Sequence, residues 1–205
     1  MYSTRAGLIL AFHGCDQSVA DKVLNGQADL IQSENGYDWL GHGIYFWENS
    51  PSRALEFAEF LKSLGPKAGS LHQITKPAIL GAVLNLGFCL DLIEFENLQL
   101  LKSGYELLKE SHKSSKFPQN RTVGESKELL FRDLDCAVIQ SLHEVGKKKK
   151  LQPFDSVRGV FWEGQELYPN AGFKEKNHIQ ICVRNPNCIK GFFIPKMLDK
   201  GFSKV

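Results

Sequence analysis

The sequence predicts a mixed α+β domain. Strand-like segments gather at both ends of the chain, amphipathic helical segments occupy its middle, and no regular strand–helix–strand alternation links them. A length of 205 residues suits one domain. We read 1–205 as a single unit with a helical insertion at about 90–150. A chain of this size buries roughly 70% of its unfolded surface, enough for a core without covalent staples.

Each element has a local reason. Leu8 to Phe12 is an apolar run that reads as a buried first strand. The run is too short for a signal peptide, and no small-residue cleavage site follows it. Ser18 to Leu24 reads as a helix, with Asp16 or Ser18 as its cap and Asn25-Gly26 as its stop. Residues 27–40 are rich in Gly, Asn, Asp and Ser and read as loop. Gly43 to Trp47 is a short aromatic strand. Ser50 and Pro51 open a second helix, with Ala54, Phe57, Ala58 and Leu61 as its apolar stripe and Gly65-Pro66 as its end.

Pro77 to Leu86 predicts a central strand. Glu94 to Leu108 and Ser126 to Val145 predict amphipathic helices, the second on Leu129, Leu130, Leu134, Ala137, Val138 and Leu142. Residues 112–125 between them read as loop. Val157 to Trp162, Ile179 to Val183 and Cys188 to Ile194 are strand-like, and Asn185-Pro186-Asn187 turns the chain between the last two.

Composition narrows the class. The apolar fraction is 42% and the charged fraction 23%, which excludes collagen-like, coiled-coil and wholly disordered chains. A net charge of +2 is too balanced for bulk charge to argue for nucleic acid. No apolar run approaches the ~20 residues of a spanning helix, so no membrane partner is expected. The five cysteines (Cys15, Cys89, Cys136, Cys182, Cys188) are scattered and form no C-x-x-C. Cys15, Cys89 and Cys182 sit inside apolar runs and read as small core residues, and a reducing cytoplasm is expected rather than a disulfide framework. None of the six histidines pairs with a cysteine at zinc-finger spacing, so no metal is expected.

Three segments carry candidate chemistry. Phe12-His13-Gly14-Cys15 leaves the first strand. Gly41-His42-Gly43-Ile44-Tyr45-Phe46 runs directly into the Pro51 helix. His178-Ile179-Gln180-Ile181-Cys182-Val183 is a late strand. Singly each has a bland reading: a structural histidine, glycines for close packing, the polar face of a strand. In this order they resemble the ADP-ribosyltransferase superfamily, in its His-Tyr-Glu branch of diphtheria-type toxins and poly(ADP-ribose) polymerases. The likeness lies in His13-Gly14, in Gly41-x-Gly43-Ile44-Tyr45-Phe46 with its helix, and loosely in 178–194. Residues 90–150 have no counterpart in it.

The resemblance implies a split two-sheet fold and NAD+ as a substrate, with no metal. Cleaving the ribose–nicotinamide bond passes through an oxocarbenium-like state, whose positive charge the site must stabilise. Gly14 suits the nicotinamide carboxamide through its backbone, His13 suits ribose or adenosine hydroxyls, and Tyr45 suits stacking on the nicotinamide ring. Gly43 lets the backbone approach closely. Trp47, beside the motif, and Arg53, for a pyrophosphate, complete the candidate cofactor contacts.

The sequence departs from the family at the glutamate, which sits at the start of a late strand and orients the reactive ribose. Strand position points to Gln180 there, with Glu175 and Glu163 as alternatives. A carboxylate ~4 Å from a developing cation is worth about 4 kcal/mol at an effective dielectric near 20. Gln180 supplies no such charge and no general base. Elongation of an ADP-ribose chain is therefore not expected, whereas a single transfer remains open.

The family's acceptor-recognition loop corresponds here to Trp162–Phe173, where Trp162, Tyr168 and Phe173 read either as platforms for a base or side chain or as loop anchors. Asp38-Trp39 reads as a pocket cover or a loop closure, and His42 as a solvent-facing histidine or a cofactor contact. The tetralysine run 147–150 reads as a solvated turn or a phosphate attractor. Together these lead to a mono-ADP-ribosyltransferase acting on a macromolecule, RNA or DNA slightly ahead of protein. Small stand-alone members are often toxins or effectors, which adds a neutralising protein to the partners. An NAD glycohydrolase and an inactive NAD- or ADP-ribose-binding module are the competing readings.

Overall fold

The computed structural model describes residues 7–65, 73–112, 116–122, 128–196 and 201. Seven strands and four helices alternate irregularly. They are β1 (Ile9–Asp16), α1 (Gln17–Leu24), β2 (Ile44–Glu48), α2 (Pro51–Ser63), β3 (Pro77–Leu84), β4 (Cys89–Asp91), α3 (Phe95–Ser111), α4 (Asp133–Lys148), β5 (Ser156–Phe161), β6 (His178–Val183) and β7 (Ile189–Phe193). The α+β class stands. The strands expected to divide between two sheets run as one hydrogen-bonded series, β4-β5-β6-β2-β1-β3-β7. All neighbours are antiparallel except β4 and β5.

One junction in that series is narrow. β1 pairs with β3 along its whole length, from Ile9↔Leu84 to Asp16↔Pro77. With β2 it shares only Ala11↔Glu48 and Phe12↔Trp47. The sheet therefore consists of two halves joined at a seam. Strand alternation then sets the packing. On one face Ala11, Cys15, Ile44, Phe46, Leu80, Ala82, Ile181 and Val183 form a core continuous across the seam, covered by Ala20 and Val23 of α1. The other face is divided. Phe12, Trp47 and Ala54 of α2 pack over one half, and Leu40, Leu90, Ile139, Leu142, Val157 and Cys182 pack over the other.

Local chemistry explains most boundaries. Asp16 caps α1 by accepting from the Ser18 amide, and its other oxygen accepts from the Thr75 and Lys76 amides. These donors hold its carboxyl well below the usual carboxylate range. Pro51 opens α2 as expected, although the Ser50 side chain makes no capping bond. Two expectations fail. α4 begins at Asp133, and Phe131 just before it exchanges backbone hydrogen bonds with Arg121 in a bridge, which is not helical; the expected start at Ser126 lies outside the described residues. The cap comes from a distant residue: Asn120 Oδ1 accepts from the Leu134 and Asp135 amides. β4 was not anticipated, since three residues between a Gly87 turn and α3 carry no periodicity. Its parallel pairing with β5 is tied by buried Arg158, which bonds both Asp91 and Glu48 of β2.

Gly14 shows how tightly the seam is closed on the α2 side. A Cβ there would overlap the Ala54 carbonyl oxygen. Gly14→Ala is expected to destabilise by about 3 kcal/mol, the upper end of the overpacking range, since the opposing atom is helix backbone. Urea denaturation beside Gly36→Ala, where a Cβ meets nothing within 4 Å, measures it. Equal midpoints for the two variants would refute this packing.

Candidate functional site

The site forms where β1 leaves β2. The Asn49 amide donates to Leu10 C=O at 2.9 Å, so Leu10, Phe12 and Gly14 present their backbone groups toward β2. The same register would set Gly14 opposite Tyr45. That pairing is absent, and His13 Nδ1–H instead donates to Tyr45 C=O at 2.8 Å. An imidazole has taken the acceptor that a strand amide would use. The Gly14 N–H and C=O are left facing the gap. Because Nδ1 donates, the neutral ring of His13 keeps Nε2 as an acceptor. Burial lowers its pKa, opposed by the bond to Tyr45, which favours that neutral form.

The structure brings Tyr45 to this gap, with its hydroxyl occupied. It donates to Gly41 C=O at 2.6 Å and accepts from the Leu40 amide at 2.8 Å. Gly41 makes this turn with φ +77°, and a Cβ there would press on Ile139 of α4. Tyr45 thus fastens the 39–41 turn to the strand. Burial raises the phenol's pKa well above normal. Gly43 approaches β6 closely: a Cβ would come 2.6 Å from Cys182 Sγ.

On the same face, Trp47 lies opposite Gln180, and Gln180 opposite Gly159. Gln180 is buried at 9% exposure, and its amide bonds no described residue. It occupies the second inward position of β6, not the first. The residue that opens the strand is His178, which the sequence reading passed over. Its side chain is fully buried. The Trp39 ring is stacked 6.3 Å away, and Phe161 and Trp47 lie at 5.7 and 6.4 Å. Nδ1–H donates to Lys176 C=O at 2.6 Å, while Nε2 finds no partner. Burial lowers its pKa to about 4. The available signal was position: a histidine directly at the start of the strand, where attention went instead to the polar residue inside it.

The two candidate glutamates separate. Glu175 is exposed and turns back on its own loop, accepting from the Gln165 amide at 3.2 Å. Glu163 enters the site. Arg53 Nη2 donates to it at 3.0 Å, and His178 Nδ1 is 4.0 Å away. Burial raises its carboxyl pKa, partly opposed by Arg53 and Lys176. Arg53, proposed for a pyrophosphate, is instead committed to Glu56 and Glu163, with only Nε unpaired.

Asp38 closes its loop by accepting from Ser33 and Asn35. Trp39 lines a concavity: its indole donates to Leu130 C=O at 2.9 Å, and the Arg132 guanidinium lies 4.3 Å over its ring. His42 faces α4 and bonds Gln140 at 2.7 Å. Beyond Trp39 a concavity of about 180 Å³ is lined by Trp39, Glu128, Arg132, Trp162, Glu163 and Lys174. Trp162, Tyr168 and Phe173 are exposed around it or in the loop that follows. No group of three or more His, Cys, Asp or Glu side chains suited to a metal occurs among the described residues.

The chain is similar to an uncharacterized protein of Methanocaldococcus jannaschii, 27% identical over 212 residues that cover 92% of this chain and 89% of the relative. No family model matches the chain. No solved structure matches it.

The neutral His178 has a consequence for stability. Its pKa is depressed on folding, so below about 6.5 the unfolded chain binds the extra proton and stability falls as pH drops toward 4. Between pH 7 and 5 the wild type is expected to lose about 2 kcal/mol that His178→Gln does not lose. Comparison with the variant isolates the imidazole from Glu163, whose raised pKa acts with the opposite sign. Urea midpoints at the two pH values decide it, and parallel losses would refute it.

Proposed function

We propose that the protein cleaves NAD+ and transfers a single ADP-ribose to a macromolecular acceptor. The observation that carries this reading is the seam: a strand pair opened after two residues, with the Gly14 backbone in the gap and the His13 imidazole bridging it. A primary carboxamide needs one donor and one acceptor side by side, which one residue's N–H and C=O in a strand supply. The Tyr45 ring flanks the position a nicotinamide takes there. His13 Nε2 accepts from a hydroxyl of the bound nucleotide. Nicotinamide leaves as the C–N bond breaks, and the anomeric carbon takes up the acceptor's nucleophile.

This reading assigns the carboxylate to Glu163, which lies 4.0 Å from His178 Nδ1. Arg53 orients it, and its raised pKa suits a group that takes a proton from the acceptor. Trp162 at the concavity and Tyr168 and Phe173 in the loop that follows are exposed, and their stacking surfaces favour a nucleic acid acceptor over protein. The tetralysine run adds little. It ends α4, and the helix rise puts it ~22 Å from the Asp133 end near the site. No described helix is long and apolar enough to cross a membrane. All five cysteines are unpaired and buried, which supports a cytoplasmic setting. A toxin or effector role, with a neutralising partner, fits the same reading.

The test is nicotinamide release from NAD+ by purified protein, with RNA, DNA or protein added, beside His13→Ala and Tyr45→Phe. Release by the wild type is expected, reduced at least ~100-fold in His13→Ala and less in Tyr45→Phe, which keeps the ring. Label from NAD+ on RNA or DNA identifies the acceptor class. Free ADP-ribose as the sole product would make the protein a glycohydrolase. NAD+ binding without release would make it a binding module, the reading favoured by the missing carboxylate at the start of β6.

A further inference from the structure

We infer that His178 and Trp47 together bind one hydroxyl of a ribose, with His178 Nε2 accepting its proton and the Trp47 indole N–H donating to its oxygen. The inference rests on the NAD+ reading above and names the contact that holds the reactive sugar where the family glutamate is missing.

Two buried polar atoms on one sheet face lack partners. His178 Nδ1–H is spent on Lys176 C=O at 2.6 Å, so the neutral ring offers Nε2 only as an acceptor. Nε2 is enclosed and unbonded, on a side chain with 0% exposure. Trp47 Nε1 is likewise enclosed and unbonded, on a residue 3% exposed. It can only donate. The two rings are neighbours, with centroids 6.4 Å apart at an interplanar angle of 47°, so the two unmet atoms belong to adjoining side chains.

One unmet acceptor beside one unmet donor is the complement of a hydroxyl, which gives and takes one hydrogen bond. A carboxylate or phosphate oxygen would satisfy Trp47 and repel the Nε2 lone pair. An ammonium would satisfy Nε2 and oppose the indole N–H. A neutral hydroxyl suits both. Gln180 adds the third feature. It lies on the same strand and face as His178 and directly opposite Trp47, with an amide that bonds no described residue. A neighbouring hydroxyl reaches that amide, so a vicinal diol, as in ribose, matches the row better than a lone alcohol. Trp39 stacks on His178 and also lines the outer concavity.

The experiment measures binding by calorimetry for NAD+ and for analogues lacking the 2′- or 3′-hydroxyl of the nicotinamide ribose. The wild type is expected to bind NAD+ about tenfold or more tightly than at least one analogue. His178→Phe, which keeps an aromatic ring and removes the acceptor, is expected to bind NAD+ and that analogue alike. Trp47→Phe, which removes only the donor, gives the same readout if His178→Phe does not fold. Discrimination retained in both variants overturns this inference and leaves the NAD+ reading standing. Equal binding of all three ligands by the wild type also overturns it, and assigns the two atoms to a buried water. Failure of the wild type to bind NAD+ overturns the reading and the inference together.

Discussion

The structure turns on one hydrogen bond, from the His13 imidazole to Tyr45 C=O. A strand amide would ordinarily fill that acceptor and carry the β1–β2 ladder onward. With a side chain in its place, the ladder stops after two pairs. The strands part and the Gly14 peptide faces the gap. The NAD+ reading starts from that substitution. It also requires that something else hold the two sheet halves together. The unbroken core on the opposite face does so, with Phe46, Leu80, Ile181 and Val183 packed across the seam at 0% exposure.

Polar groups collect on the divided face: His178 and Gln180 from β6, Arg53 from α2 and Glu163 after β5. Leaving a buried donor or acceptor unpaired costs ~1–3 kcal/mol. A chain that leaves Trp47 Nε1, His178 Nε2 and Arg53 Nε unmet in one place carries a local instability that packing elsewhere offsets. The contrast with Arg158 is instructive. That guanidinium is also buried, yet Nε, Nη1 and Nη2 all reach carboxylates of Asp91 and Glu48, as a purely structural charge must.

Much of the framework was legible from the residues. Ser50-Pro51 marked the start of α2, the Asn185-Pro186-Asn187 turn separated the last strands, and the Gly41-to-Phe46 segment stood out through its glycines. Local rules sufficed because each of these features is decided within a few residues. The failures share the opposite cause. The start of α4 depends on Asn120 and on a bridge from Arg121, and β4 exists because β5 pairs with it. Neither dependence is written in the local pattern. His178 was passed over for the same reason: on the sequence it is a strand residue beside a polar one, and only its burial and its unmet Nε2 set it apart.

The sequence by itself determined the α+β class and the order of most strands and helices, since these follow from periodicity and turn residues; His13-Gly14 and the Tyr45 segment were singled out by a family resemblance. The tertiary structure alone decided which side chains meet: that Glu163 rather than Glu175 comes beside His178, that Arg53 is spent on carboxylates, and that His178 Nε2 is buried without a partner. Those outcomes depend on distances between residues over a hundred positions apart, such as Arg53 and Glu163. Such distances are fixed by how the sheet halves and helices pack, which no local pattern encodes.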